Sequence, residues 1–156
     1  MNQPVIAPAR AQLFAVWAGM MGSITVFTLL VWILRDDFSG SQPNDFIRNM
    51  LAGLAAVSIL GAFAVHHLFA GRFQAGRERL KMPLSPGGQI PSELIALAVP
   101  VLMGRWFLIE LGGFLGLVNF MMTGVFEHTL AFVGASILAM LASAPTDSLL
   151  RKVLNI

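Results

Sequence analysis

Glu110 is the residue whose surroundings most demand a chemical explanation. From Leu94 to Met122 the chain is apolar apart from Arg105, Glu110 and Asn119. An ionisable group inside such a run is costly to place in a bilayer and is a functional hypothesis by default. Desolvation disfavours the carboxylate, so the acid is expected to be neutral unless a cation reaches it. Arg105 is the nearest cation in sequence, but five residues at about 100° each set it about 140° around a helix from Glu110. On that wheel Arg105, Gly112, Gly116 and Asn119 share one face, and Glu110, Met103, Trp106, Gly113, Phe114, Leu117 and Met121 the other. The plain structural reading is a protonated Glu110 hydrogen-bonded to Ser58, Thr25, Thr28 or Ser136, with Arg105 snorkelling toward the interface.

The remaining reactive residue types point nowhere together. His66 and His67 stand at one end of an apolar segment and His128 at the start of another, so the three are expected at opposite membrane faces and not on one iron. Glu127-His128 reads as a polar first turn. No cysteine is present to form a disulfide or a thiolate ligand, and nothing resembles HExxH, GxSxG or a phosphate loop. The sequence therefore predicts no cofactor, no metal and no catalysis. A net charge of +2 over 156 residues is too weak a field to imply nucleic acid.

The elements that must carry Glu110 are membrane spans. With 56% hydrophobic and 12% charged residues and a mean hydropathy of +0.76, the chain lacks the polar surface to solvate a globule of its size. The fold class expected is all-α and polytopic, a single membrane domain over residues 1–156 with four transmembrane helices at about 11–34, 50–70, 93–122 and 125–144. Ala11 to Leu34 is uncharged and followed by Arg35-Asp36-Asp37, which marks an uncleaved anchor and not a signal peptide. Ser41, Asn44 or Asp45 is expected to cap the second helix, which can continue past Ala70 into a basic loop over residues 71–92. Ser92 is the expected cap of the third helix, a long one kinked at Pro100. Thr123-Gly124 closes it, and Pro145 ends the fourth span before a short tail.

Four spans place both termini on one side. Arg10, Arg72, Arg77, Arg79, Lys81, Arg151 and Lys152 fall there, against Arg35 and Arg48 opposite, so the termini and the 71–92 loop are expected in the cytoplasm. Arg72, Arg77, Arg79 and Lys81 are thus topology determinants, able also to attract anionic headgroups. Small residues mark expected helix contacts: Gly104, Gly112 and Gly116 in the third span, Ala131, Ala135, Ala139 and Ser143 in the fourth. The second span offers Gly53 and Gly61 with Ala52, Ala56 and Ala64, and the first Ala18 and Gly22. Such faces serve either the bundle itself or a homo-oligomer seam.

Two resemblances follow from these residues. The stretch from Glu110 through Gly112, Gly113, Gly116, Leu117 and Val118 resembles the ion-carrying helix of rotary ATP synthase c subunits, in which a carboxylate precedes Gly-Leu-Val by six residues. Pro91-Ser92-Glu93 stands seventeen residues ahead of Glu110, where that family has a cytoplasmic basic-polar-proline loop. The resemblance, covering about Pro91 to Val118, implies that Glu110 is a reversible proton or sodium site. It departs from the family in having no alternating glycine run in residues 50–70, no Arg-Gln before Pro91, and two additional spans. Over its whole length the chain is similar to small four-span bacterial membrane proteins of unassigned function, which carry a short E-x5-G-L-V stretch in the third helix. The expected role is a non-catalytic accessory or assembly subunit of a bacterial inner-membrane complex, in contact with lipid and with other membrane subunits or with itself. The alternative is an ion-binding, c-like subunit using Glu110.

Overall fold

A computed structural model describes residues 6–38, 44–80 and 92–154, and the regular structure among them is helical throughout. In chain order the elements are α1 (Ile6–Ile33), the single turn α2 (Arg35–Phe38), α3 (Asp45–Leu80), α4 (Ser92–Thr123), α5 (Phe126–Ala142) and α6 (Asp147–Leu154). Three segments are long and apolar enough to cross a membrane: Ala11–Ile33, Asp45–Val65 and Ile95–Thr123. A fourth is present if α5 and α6, which meet at 89°, count as one broken span. The chain is thus an all-helical, multi-pass membrane protein.

Local chemistry sets the helix ends. Asn44 opens α3, its Oδ1 accepting from the backbone N–H of Phe46 (3.1 Å) and Ile47 (3.3 Å), and Asp45 pairs with Arg48 at 2.8 Å. Ser92 is the first residue inside α4, so the capping position falls on Pro91, outside the described residues. α4 runs unbroken through Pro100, whose missing N–H leaves the carbonyl of Ala96 without its usual donor. Gly124 ends α4 as expected: at φ 67° it occupies the left-handed region that other residues resist, and its N–H reaches Phe120 O at 2.7 Å. The third helix by sequence, α4, spans 32 residues and the second, α3, spans 36. α3 outruns the expected 50–70 span at both ends and carries the backbone of Arg72, Arg77 and Arg79; Lys81 lies outside the described residues.

The fourth span differs from expectation. α5 stops at Ala142, and the tail forms a helix of its own. Thr146 Oγ1 accepts from the N–H of Leu149 (3.3 Å), Asp147 sits in the first turn, and Leu150 and Val153 are buried while Lys152 is exposed. Leu149, Leu150 and Val153 recur at the one-and-four spacing of an amphipathic helix, a pattern too short to stand out beside four long apolar runs.

α4 is the centre of the packing. It meets α3, α5 and α1 on different sides, whereas α1 and α3 share no packed face. α1 runs parallel to α4, with Leu13 and Val16 beside Ile95 and Val99 and Phe27 edge-on to Phe114 at 4.8 Å. α3 and α5 run antiparallel to it. The core follows α4 in buried Ile95, Ala98, Leu102, Trp106, Ile109, Leu117 and Phe120. Its opposite stripe of Ala96, Pro100, Met103, Phe107, Val118 and Met121 is exposed, as a lipid-facing surface should be.

Candidate functional site

α4 carries Glu110 near the midpoint of its apolar segment, and α1 carries Ser23 to the same depth. The two side chains meet: Ser23 Oγ donates to Glu110 Oε1. Ser23 Oγ also lies 2.8 Å from the carbonyl oxygen of Met20, one turn back on its own helix. The second carboxyl oxygen, Oε2, has no hydrogen-bond partner among the described residues and is not sealed inside the chain. Glu110 is half-buried at the edge where α1 leaves α4 and the exposed stripe of Met103 and Phe107 begins.

The partner is thus none of the four hydroxyls that composition suggested. Thr25 and Thr28 turn back to the carbonyls of Met21 (2.9 Å) and Ile24 (2.6 Å), the usual local bond of hydroxyls in apolar helices. Ser136 is fully buried on α5 opposite Gly113, and its Oγ has no partner among the described residues; Ser58 lies on α3, across α4 from the acid. Ser23 was the missed residue. The available signal was register: once α1 and α4 are taken as parallel, Ser23 is the hydroxyl level with Glu110.

Arg105 and Glu110 do lie on different sides of α4. The Arg105 guanidinium stands over the ring of Phe63 on α3, 4.8 Å from its centroid, and no acid lies within ion-pair distance among the described residues. Its Nε is buried without a partner, as is Asn119 Oδ1.

The small residues divide by helix. A Cβ on Gly112 would fall 2.5 Å from Ile59 Cγ1 and 3.1 Å from Ala55 O, so this glycine lets the α3 backbone close on α4. One on Gly116 would meet Phe132 Cβ at 2.8 Å, and Gly113 faces Ser136 and Ile24. Gly112 and Gly116 therefore serve two different neighbours, α3 and α5, although the wheel placed them on one face. Three expected contacts need correcting. Gly104 has nothing within 4 Å of the position a Cβ would take, and Ala131 and Ala135 are exposed; of that series Ala139 and Ser143 are buried. A strict four-residue repeat drifts about 40° per step around a helix, so it cannot stay on one face. The face of α5 that packs is Thr129, Val133, Ser136, Met140 and Ser143, at alternating steps of four and three. Likewise the buried small residues of α3 are Ala55 and Ala62, beside Leu51, whereas Ala64 and Gly53 are exposed, and Ala18 and Gly22 on α1 are exposed.

Two indoles bind the end of α5. Trp17 Nε1 donates to Met140 O and Trp106 Nε1 to Ser143 O, each at 2.9 Å; Met140 O also accepts from the N–H of Ser143 (3.1 Å). Thr129 Oγ1 makes a similar bond to Gly116 O at 2.9 Å. His66 and His67 lie in α3 near this end, and His128 in the first turn of α5 at the other. No group of three metal-ligand side chains occurs among the described residues.

These features define a helical membrane protein whose one mid-span acid is shared with a neighbouring helix. The chain matches no family model, no curated protein and no solved structure.

Proposed function

We propose that the protein is a non-catalytic accessory or assembly subunit of a membrane complex, four spans deep with both termini in the cytoplasm, in which Glu110 is a structural acid. The observation that supports this is the Ser23–Glu110 bond. One hydroxyl proton cannot serve both Met20 O and Glu110 Oε1. A neutral carboxyl resolves the conflict by donating its own proton to Ser23 Oγ, which then donates to Met20 O. All of these groups are satisfied without a buried charge, and α1 is tied to α4. The large exposed apolar side chains of α1 and α3 leave broad outer faces for lipid or for partner subunits.

A second reading rests on Glu110 Oε2, which is open at the α1–α4 edge. A half-buried, mid-span carboxyl with one oxygen unpartnered among the described residues is the arrangement an ion-exchanging c-like subunit requires. A hydrophobic carbodiimide, which needs the protonated acid, separates the two. The structural reading expects Glu110→Gln to keep thermal stability and assembly, and wild-type Glu110 to react without protection by sodium. Sodium protection, together with a Gln variant that is stable but inactive in its complex, would establish the ion site instead. Tags at either terminus accessible only from outside the cell would overturn the orientation.

A further inference from the structure

The α1–α4 seam that closes on Ser23 and Glu110 opens toward the N-terminal ends of both helices. A cleft of about 300 Å³ lies there between Gln12, Leu13 and Val16 of α1 and Ala96, Val99 and Met103 of α4, at the small end of the range of ligand clefts, about 300–1,000 Å³. Leu13 is buried behind it, whereas Gln12, Val16, Ala96 and Met103 are exposed, so the cleft faces outward. Its depth follows from the span. The 29 residues of Ile95–Thr123 measure about 43 Å, the thickness of a bilayer with both headgroup layers, and are centred on Ile109 and Glu110. Ala96 lies about 20 Å along the helix from that centre, beyond a hydrocarbon half-thickness of about 15 Å, and Met103 about 10 Å from it, inside. The cleft therefore runs from the glycerol and ester layer of one leaflet down into its acyl chains.

Two polar groups stand at its outer end. Among the described residues that line it, Gln12 is the one polar side chain, and it is exposed. Ala96 adds a backbone carbonyl that lacks its usual donor, because Pro100, exposed one turn further on, has no N–H. None of the described lining residues is charged, so a phosphate would find no cation among them. An amide that needs an acceptor, a carbonyl that needs a donor and an apolar wall running deeper match a neutral glycerolipid. In such a molecule an ester carbonyl and a free hydroxyl sit together at the head of the chains, and each unpaired polar group left in a bilayer is costly.

We propose that this cleft binds one neutral, hydroxyl-bearing glycerolipid of the diacylglycerol class. Its hydroxyl donates to Ala96 O, its ester carbonyl accepts from the Gln12 side-chain amide, and one acyl chain lies along Val16, Val99 and Met103. The site depends on where the α4 span lies and not on the role given to Glu110. The test is photo-crosslinking in phosphatidylcholine vesicles with a diacylglycerol carrying a diazirine in one chain, the labelled peptides being mapped by mass spectrometry. Label should concentrate on residues 12–16 and 96–103, roughly fivefold over the exposed α3 residues Leu54, Val57 and Leu60, which offer lipid no polar side chain. Unlabelled dioleoylglycerol should compete for the site. Its O-methyl ether, which cannot donate, should compete roughly fivefold less well, the scale of one net hydrogen bond. Pro100→Ala returns to Ala96 O the N–H it lacks and favours the helix, so the fold is kept while the two competitors become equal. Gln12→Leu should in the same way erase the preference for dioleoylglycerol over its diether analogue. Even labelling of α1, α3 and α4 overturns the proposal, as does a hydroxyl preference that survives in Pro100→Ala or an ester preference that survives in Gln12→Leu.

Discussion

The two seams on either side of α4 are built by opposite means. Toward α3 the contact is one of shape: Gly112 admits the backbone of Ala55 and the side chain of Ile59, and Ala55 and Ala62 are wholly buried. Toward α1 the contact is sparse and polar. Few of the residues in the α1 span are buried, Leu13, Ile24 and Val31 among them, and the helix adds Ser23–Glu110 and one edge-on pair of phenylalanines toward α4 and Trp17–Met140 O toward α5. Between helices already in lipid, excluding water gains nothing, so cohesion comes from close fit or from hydrogen bonds. This chain uses each on a separate face of the same helix.

The comparison breaks most readily at Gly112. Gly112→Leu should separate α3 from α4 and cost about 1–3 kcal/mol or more, since the added atoms overlap Ile59 and a backbone oxygen that cannot move aside. Thermal unfolding in detergent, followed by circular dichroism, measures it; Gly112→Ala should shift in the same direction by less. Next come the clasps on α1. Trp17→Phe and Glu110→Leu should each cost about 0.6–2 kcal/mol, the range found for interhelical hydrogen bonds in membranes. Their effect should be visible as reduced disulfide formation between cysteines placed at Phe27 and Phe114, which tests α1 docking without depending on α3. A Glu110→Leu effect larger than that of Gly112→Leu would invert the comparison. The smallest effects belong to Gly104→Ala and Ala135→Leu, at open positions where the chain's own stability should change by no more than about 0.5 kcal/mol. If either nonetheless disrupts assembly in the membrane while leaving the monomer's melting unchanged, that face meets a partner.

Long apolar runs, turn residues and caps were legible before any coordinates: Asn44 was among the named caps, and Gly124 was the expected stop. What sequence could not supply was which side of each helix turns inward. The same small residues occur at Gly112, which is filled by a neighbour, and at Gly104, which is open, because the difference lies in crossing geometry and not in composition. Ser23 escaped notice for a related reason. Its pairing with Glu110 depends on the parallel register of helices nearly ninety residues apart in sequence. In the sequence the tail reads only as a short segment after Pro145, because its eight-residue helix has just four apolar residues, Leu149, Leu150, Val153 and Leu154; it docks on α3 and α4.

The absence of a packed face between α1 and α3 bears on how the protein is made. Both precede α4 in the chain, and among the described residues neither packs a face against the other. Their places in the bundle are set mainly by α4, which packs on both. It supplies the Gly112 recess for one and the Glu110 carboxyl for the other, so the third span completes the assembly of the first two. Without it the hydroxyl of Ser23 and the flank of Ala55 and Ile59 stand open to whatever insertion machinery or passing helix lies nearby.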